Sequence, residues 1–438
     1  MNETPPPGRG TRSASQLIRN AAALMTSSVG TALLGVLFWA YAARSTDPSR
    51  IGRASAELAA MVLLANLADV GVGSLLLRFL AGAGRRTRRF VSRCYAACTT
   101  FGLALAVAYV ALGFPDRFLP GGLGWRVLFV GATVFWTIFV LQDSVLIGLR
   151  ESRWVPVENI LFAALKIVLL PVYLSVSAAQ GIFLAWAAPV VLAVAAVSFY
   201  LFRKKIPAHE RDSVEEPNFP TARELASFVV AQYANSLVGT IAGALMPLIV
   251  IYRLGATANG HFYLPWACVI AFSQLVWGLS TSFVVEAVFD VDQMRQHVDR
   301  MLRVVGFFLL PILVVGIVFA PLLLGIFGKS YAATGTTLLR LLLLATPGTM
   351  VTAFYTSFIW LERRAWWLAA RQALNSLVLL GGSLLLLGHL GILGVGVASL
   401  ATELLQAVII LPGALRRYRA VRAGRPSFQV IARRAEDT

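Results

Sequence analysis

Long apolar segments alternate with short polar ones along almost the whole chain. The hydrocarbon core of a bilayer, about 30 Å thick, is crossed by roughly 20 residues of α-helix. Twelve segments of the chain reach that length and are predicted to span a membrane. They are residues 20–43, 56–80, 91–112, 125–148, 155–174, 182–202, 225–252, 260–284, 302–324, 335–360, 366–387 and 391–414. The polar segments between them are too short for a sizeable soluble domain, so the pattern predicts an all-helical, multi-pass membrane protein.

Basic residues are unevenly distributed between the two sides of the predicted membrane. If the N-terminus is cytoplasmic, most of the 38 lysine and arginine residues fall in the two tails and the even-numbered loops. Loops rich in these residues stay in the cytoplasm, so both termini are predicted to be cytoplasmic. This topology explains the net charge of +17, and a nucleic-acid partner is not expected.

The longest polar interruption, residues 203–224, divides the predicted spans into six and six. The predicted organisation is a polar cytoplasmic tail (1–19), an N-terminal six-helix bundle (20–202), a cytoplasmic linker (203–224), a C-terminal six-helix bundle (225–415) and a basic cytoplasmic tail (416–438). Because six spans separate equivalent helices, the two halves keep the same orientation. That arrangement implies a pseudo-twofold axis along the membrane normal, with a substrate cavity between the halves.

The composition argues against an enzyme. Hydrophobic residues make up 58% of the chain and charged residues 13%, so side chains for hydrolytic or redox chemistry are scarce. Three cysteines do not make a disulfide framework, and no histidine lies near them in sequence, so neither a metal nor a cofactor is expected. The segment FGKS at 327–330 resembles the end of a phosphate-binding loop, but Leu323 stands where that loop requires glycine.

Lys166 is the basic residue placed deepest in a predicted span. It lies some 18 Å from the cytoplasmic end of the fifth span, too deep for its ammonium group to reach the headgroups easily. Because a charge in the bilayer interior is costly, it needs a partner or a function. We expect either contact with an anionic substrate or a buried ion pair with Glu158 or Asp143.

Other ionisable residues in or near the spans are candidates for function. Asp69, Asp143 and Glu403 are candidate proton or sodium sites, or structural partners of basic residues. Arg78, Arg253 and Arg340 are candidate substrate-binding residues. For Arg78 and Arg253 the alternative is a side chain that extends to the lipid headgroups.

Three segments resemble a known family. They are LADVGVGSLLLRF at 67–79, LQDSVLIGLRESRWVPVEN at 141–159 and FGKSYAATGTTLLRLLLLATPG at 327–348. Together with the six-plus-six layout, they resemble the Wzx-type polysaccharide flippases, for O-antigen and capsule, of the multidrug/oligosaccharidyl-lipid/polysaccharide (MOP) exporter superfamily. The resemblance extends over nearly the whole chain.

The resemblance implies a MATE-like transporter of two six-helix bundles in a bacterial cytoplasmic (inner) membrane. Its implied substrate is a polyprenyl-pyrophosphate-linked oligosaccharide, moved from the inner to the outer leaflet by alternating access for polysaccharide, lipopolysaccharide or cell-envelope biosynthesis. Basic cavity residues bind the anionic headgroup in this family, which implies that role for Lys166 and Arg340. A proton or sodium gradient is the implied driving force.

Two rival functions remain open at this point. A cation-coupled multidrug antiporter shares the fold and needs acidic residues in its cavity, for which Asp69, Asp143 and Glu403 are available. A membrane glycosyltransferase or polymerase needs a sizeable outer loop for its active site, and no predicted outer loop is that long. Transport of a peptidoglycan precursor is disfavoured, because the first span lacks the arginines of that branch.

Overall fold

The computed structural model describes residues 30–119, 121–177, 180–212, 241–289, 293–362 and 364–424, and within them it is almost entirely helical. Ten helices are long and apolar enough to cross a membrane, and two shorter helices are apolar. The prediction of an all-helical polytopic membrane protein is confirmed. The predicted count of twelve spans remains a prediction, because the starts of the first and seventh spans lie outside the described residues, as do the two tails and most of the linker.

Most predicted spans correspond to one long helix, whereas the spans 56–80 and 302–324 are divided among shorter helices. The described helices are numbered in chain order. They are α1 (30–45), α2 (Pro48–Asp69), α3 (Val72–Phe79), α4 (Thr87–Ala111), α5 (Leu123–Gly148), α6 (Trp154–Val176), α7 (Gly181–Tyr200), α8 (Ile206–Asp212), α9 (Ile241–Leu254), α10 (Ala256–Phe289), α11 (Met294–Val304), α12 (Leu310–Val318), α13 (Ala320–Gly325), α14 (Lys329–Leu361), α15 (Ala365–Leu390) and α16 (Leu393–Arg422). π-Helical turns join α7 to α8 and α11 to α12.

The predicted second span, residues 56–80, is two helices rather than one. The chain turns at Val70 and Gly71, both in the left-handed region with φ of 45° and 77°. Asp69 stabilises this break, since its Oδ1 accepts a hydrogen bond of 2.8 Å from the backbone N–H of Gly73. A side chain that accepts a hydrogen bond from a backbone N–H at the start of α3 replaces a backbone hydrogen bond that would otherwise continue α2.

Helix contacts fall into two groups that meet mainly along one helix pair. In the first group α5 packs on α2, α4 and α7, and α6 packs on α7. In the second group α14 packs on α10 and α16, and α15 packs on α16. The extensive contact between α2 and α10 joins the groups. We call these the N-terminal and C-terminal groups.

The junction of the two groups lies at the ends of α2 and α10 that the charge pattern places outside the cell. A Cβ atom at Gly52 would overlap the carbonyl oxygen of Ala256, and one at Gly260 would overlap that of Pro48. Asn259 donates a hydrogen bond of 2.7 Å to the carbonyl of Gly52. The two backbones therefore touch directly, and we call this contact the outer seal.

Two ion pairs lie at the opposite, inner ends of the helices. Arg417 forms a bidentate ion pair with Glu362, with both N···O distances 2.7 Å, inside the C-terminal group. Lys205 pairs with Glu151 inside the N-terminal group. Each of these ion pairs therefore holds one group together, and neither joins the two groups.

Candidate functional site

A cavity of about 610 Å³ lies between α1 and α10, on the inner side of the outer seal. Along α10 it extends from Tyr263 to Thr281, about 27 Å by helical rise. No described residue that lines it carries a charge. Its polar and aromatic lining comprises Thr31, Trp39, Tyr263, Gln274, Trp277, Thr281 and Phe327. Aromatic faces together with hydroxyl and amide groups can contact a neutral polar ligand such as a sugar. We call it the central cavity.

Lys166 lies close to this cavity, inside a cage of aromatic rings. Its side chain is buried, and its Nζ is 3.8 Å from the ring centroid of Trp186 and 5.2 and 5.3 Å from those of Phe162 and Phe38. Each ring face attracts the ammonium group. Lys166 forms no ion pair or hydrogen bond with any described residue, so the expected pairing with Glu158 or Asp143 is not seen among them.

Trp39 separates Lys166 from the central cavity. Trp39 lines the cavity, and its ring lies 4.7 Å from Tyr263 on the other helix group and 6.5 Å from Trp186. Phe38, the preceding residue, touches both Trp39 and Trp186 edge to face. Lys166 is therefore one aromatic layer behind the cavity wall. The sequence predicted Lys166 but not Trp186, because hydropathy does not show which faces of two helices meet.

The three candidate arginines do not line the central cavity. Arg340 is exposed on α14, and its Nε donates a hydrogen bond of 3.1 Å to the carbonyl of Ile317 in the last turn of α12. Arg78 is exposed at the end of α3, where it lies over the ring of Phe79. Arg253 is exposed near the end of α9. A role for any of them in binding substrate stays a prediction.

The three candidate acidic residues lie in three different environments. Asp69 caps α3, as described above. The Oδ2 atom of Asp143 accepts a hydrogen bond of 3.4 Å from Asn159, and the neighbouring Glu158 is buried with neither carboxylate oxygen hydrogen-bonded in the described structure. Glu403 lines a separate small chamber within the C-terminal group. None of them is among the residues that line the central cavity.

Substitution of Asp69 separates its structural role from an ionic one. Asp69→Ala removes the cap of α3 and is expected to lower the free energy of unfolding by about 1 kcal/mol. Asp69→Asn keeps a capping oxygen and should fall within a few tenths of a kcal/mol of the wild type. Thermal unfolding in detergent measures both. If Asp69→Asn is as stable as the wild type but transport stops, the carboxylate of Asp69 binds the coupling ion in addition to capping α3.

Sequence comparison connects the chain to polysaccharide synthesis. Residues 128–334 match the family model described as "Polysaccharide biosynthesis protein". This segment begins in α5 and ends in α14, so it includes Lys166 and the α10 face of the central cavity. No curated protein matches the sequence significantly.

Structural comparison identifies the fold. The MATE multidrug transporter DinF-BH superposes with a TM-score of 0.65 at 15% identity, over 95% of this chain and 98% of that one. A MOP superfamily transporter from Pyrococcus furiosus gives 0.60 at 15% identity, over 92% and 96%. A further MATE structure gives 0.59 at 15% identity, over 93% and 96%. The chain therefore shares the fold of the MATE and MOP transporters over almost its whole length, and somewhat less than half of it is similar to a polysaccharide biosynthesis family.

Proposed function

We propose that the protein is a flippase for a polyprenyl-pyrophosphate-linked oligosaccharide, moving it from the inner to the outer leaflet of a bacterial cytoplasmic membrane. The observation that carries this proposal is the pairing of an uncharged, aromatic-rich central cavity with a caged lysine one ring behind its wall. Sugar rings suit the cavity lining, and the pyrophosphate suits an ammonium group that has no counterion among the described residues. The match to a polysaccharide biosynthesis family supports the same substrate class.

The outer seal suggests how the transport cycle begins. The structure is closed where α2 meets α10, and the ion pairs Arg417–Glu362 and Lys205–Glu151 at the inner ends each stay within one group, which fits a state that receives substrate from the cytoplasmic side. The N-terminal and C-terminal groups would then rock as two bodies about the central cavity. The glycan and pyrophosphate would travel through the cavity while the polyprenyl tail stays in the lipid.

Lys166 would meet the pyrophosphate when the aromatic wall opens. A rotation of Trp39 and Trp186 away from each other would bring the ammonium group to the cavity surface. In a site from which water is excluded, attraction between the ammonium and a phosphate oxygen is much stronger than in water. The cage therefore keeps the charge in place when no substrate is bound and releases it to an anion.

Coupling to a proton or sodium gradient fits best at Asp143. Its carboxylate lies beside that of Glu158, and neither residue has an ion-pair partner among the described residues. Two neighbouring carboxylates with no compensating cation favour binding a proton or a metal cation. Asp69 and Glu403 remain alternative coupling sites.

Export of cationic drugs, the rival function, receives less support from the cavity. The described lining has no carboxylate to neutralise a cationic drug, so only its aromatic faces would attract one. The two functions are therefore separated by the charge of the ligand.

Reconstitution of the full chain into liposomes tests the proposal. Fluorescent undecaprenyl-pyrophosphate-linked disaccharide, placed in one leaflet, should reach the other leaflet faster than in protein-free liposomes, as measured by quenching with an impermeant reductant. A cationic rhodamine dye under the same gradient should not be moved. Movement of the dye without movement of the lipid would overturn the proposal in favour of an antiporter.

A further inference from the structure

A groove of about 190 Å³ lies between α15 and α16. Its polar lining is Arg371, Asn375, Thr402 and Gln406, and its apolar lining includes Ala370, Leu374, Leu405 and Ile409. Several of these apolar side chains are exposed, Leu374 at 58% and Ile409 at 60%, which in this fold means exposed to lipid. The groove is thus an apolar slot that contains a single basic residue.

Arg371 has no partner in this groove among the described residues. Its Nε and Nη1 atoms are buried without a hydrogen bond, and so is Oδ1 of Asn375 one turn away. The charge of Glu403 acts on Arg371, but the two side chains form no ion pair. A guanidinium group has five N–H donors, and leaving buried donors unpaired is costly. The residue is therefore suited to an anion that the structure does not contain.

The depth of Arg371 matches the inner leaflet. Trp366 and Trp367, at the start of α15, are 74% and 53% exposed and mark the level of the inner headgroups, where tryptophan concentrates. Arg371 follows Trp367 by one helical turn, so it lies about 6 Å further into the membrane. The long side chain of an arginine at that depth can extend to the phosphate of a lipid in that leaflet.

A small chamber lies between the groove and the central cavity. Thr402 lines both the groove and this chamber of about 130 Å³, which also contains Glu403, Thr349 and Ser399. Ile270 lines both the chamber and the central cavity. Three spaces therefore follow one another from the lipid to the cavity, divided by these two side chains. Movement of Thr402 and Ile270 would open a path between them, which a transported lipid needs and a bulk phospholipid does not.

We propose that the groove between α15 and α16 is a lateral docking site for the polyprenyl pyrophosphate carrier in the inner leaflet. Arg371 binds its pyrophosphate, and Leu374, Leu405 and Ile409 contact the first isoprene units of its tail. This inference rests on the proposed function and extends it, because it places a first substrate site outside the central cavity.

Photolabelling of the full chain in nanodiscs tests the docking site. A benzoylphenylalanine replaces Leu374, and in a matched control it replaces Val168, which is similarly exposed on the lipid side of α6 at 64%. Radiolabelled undecaprenyl pyrophosphate should label the protein at 374 and not at 168. Arg371→Gln should reduce this labelling about tenfold, the loss expected for a charge-assisted hydrogen bond, whereas the exposed Arg303→Gln should not.

Further variants and competitors decide between the possible outcomes. Ala370→Trp fills the groove but keeps Arg371, so it should also lower labelling. It tests the docking site independently if Arg371→Gln fails to fold. Labelling that is unchanged in Arg371→Gln and Ala370→Trp, or that phosphatidylglycerol suppresses as well as the carrier does, overturns the inference. If reconstituted wild type fails to move the carrier but shows labelling that depends on Arg371, the docking site stands and the proposed function falls.

Discussion

Lys166→Gln is expected to slow translocation of a pyrophosphate-linked glycan about a hundredfold while the protein still folds. The substitution removes the ammonium group that the proposal assigns to the pyrophosphate. A charge-assisted contact in a site shielded from water is worth about 3 kcal/mol, which corresponds to two orders of magnitude in rate. The liposome assay described above measures the effect directly.

The stability of the same variant separates transport from packing. Contact with the faces of Trp186, Phe162 and Phe38 stabilises the ammonium by about 2 kcal/mol, but burying an unpaired charge has a cost of similar size. We therefore expect the melting temperature of Lys166→Gln to change by only a few degrees. Lys166→Arg keeps the charge and should retain part of the transport rate. A normal rate in Lys166→Gln would assign Lys166 to packing alone.

Gly52→Ala is expected to open the outer seal and stop transport. An added methyl group would overlap the carbonyl oxygen of Ala256, which belongs to rigid backbone, so α2 and α10 must separate. Cys268 provides a native reporter, because it lines the central cavity while Cys94 and Cys98 are buried. An impermeant maleimide added from outside should label Cys268 at least about tenfold faster in the variant than in the wild type.

A second glycine provides the matched control. Gly131, in α5, has open space where a Cβ would lie, so Gly131→Ala should leave both labelling and transport unchanged and slightly favour the helix, by up to about 1 kcal/mol. Gly260→Ala, across the seal from Gly52, should behave like Gly52→Ala. Slow labelling of Cys268 in both seal variants would show that the outer side is closed by other contacts.

Much of the fold could be predicted from the sequence, because in a membrane protein hydropathy alone determines where helices lie. The predicted span 125–148 is α5 (Leu123–Gly148), and 155–174 is α6 (Trp154–Val176). The prediction was wrong where a local hydrogen bond, that of Asp69 with Gly73, interrupts an apolar segment. Hydropathy does not detect such a break, because the residues on both sides of it are equally apolar.

Less of the candidate site could be predicted. Lys166 could be predicted because the depth of a residue in a helix follows from its position in the sequence. The aromatic cage around Lys166 could not, because it depends on how α1, α6 and α7 are rotated. Arg371 was overlooked, because it follows the basic loop residues closely and resembles a flanking charge. Its lack of a partner becomes visible only when α16 is packed against it. An apolar pattern shows which residues lie in helices, but it does not show how each helix is rotated about its own axis when it packs against its neighbours.

The atoms that form the outer seal determine how the closed state responds to the salt concentration outside the cell. Main-chain atoms of two helices and the uncharged side chain of Asn259 form the contact, and no ion pair among the described residues crosses it. Salt screens charged pairs far more than it affects close packing. The closed state should therefore persist whether the surroundings are fresh or saline, and the barrier against ion leakage should not depend on the medium in which the cell lives.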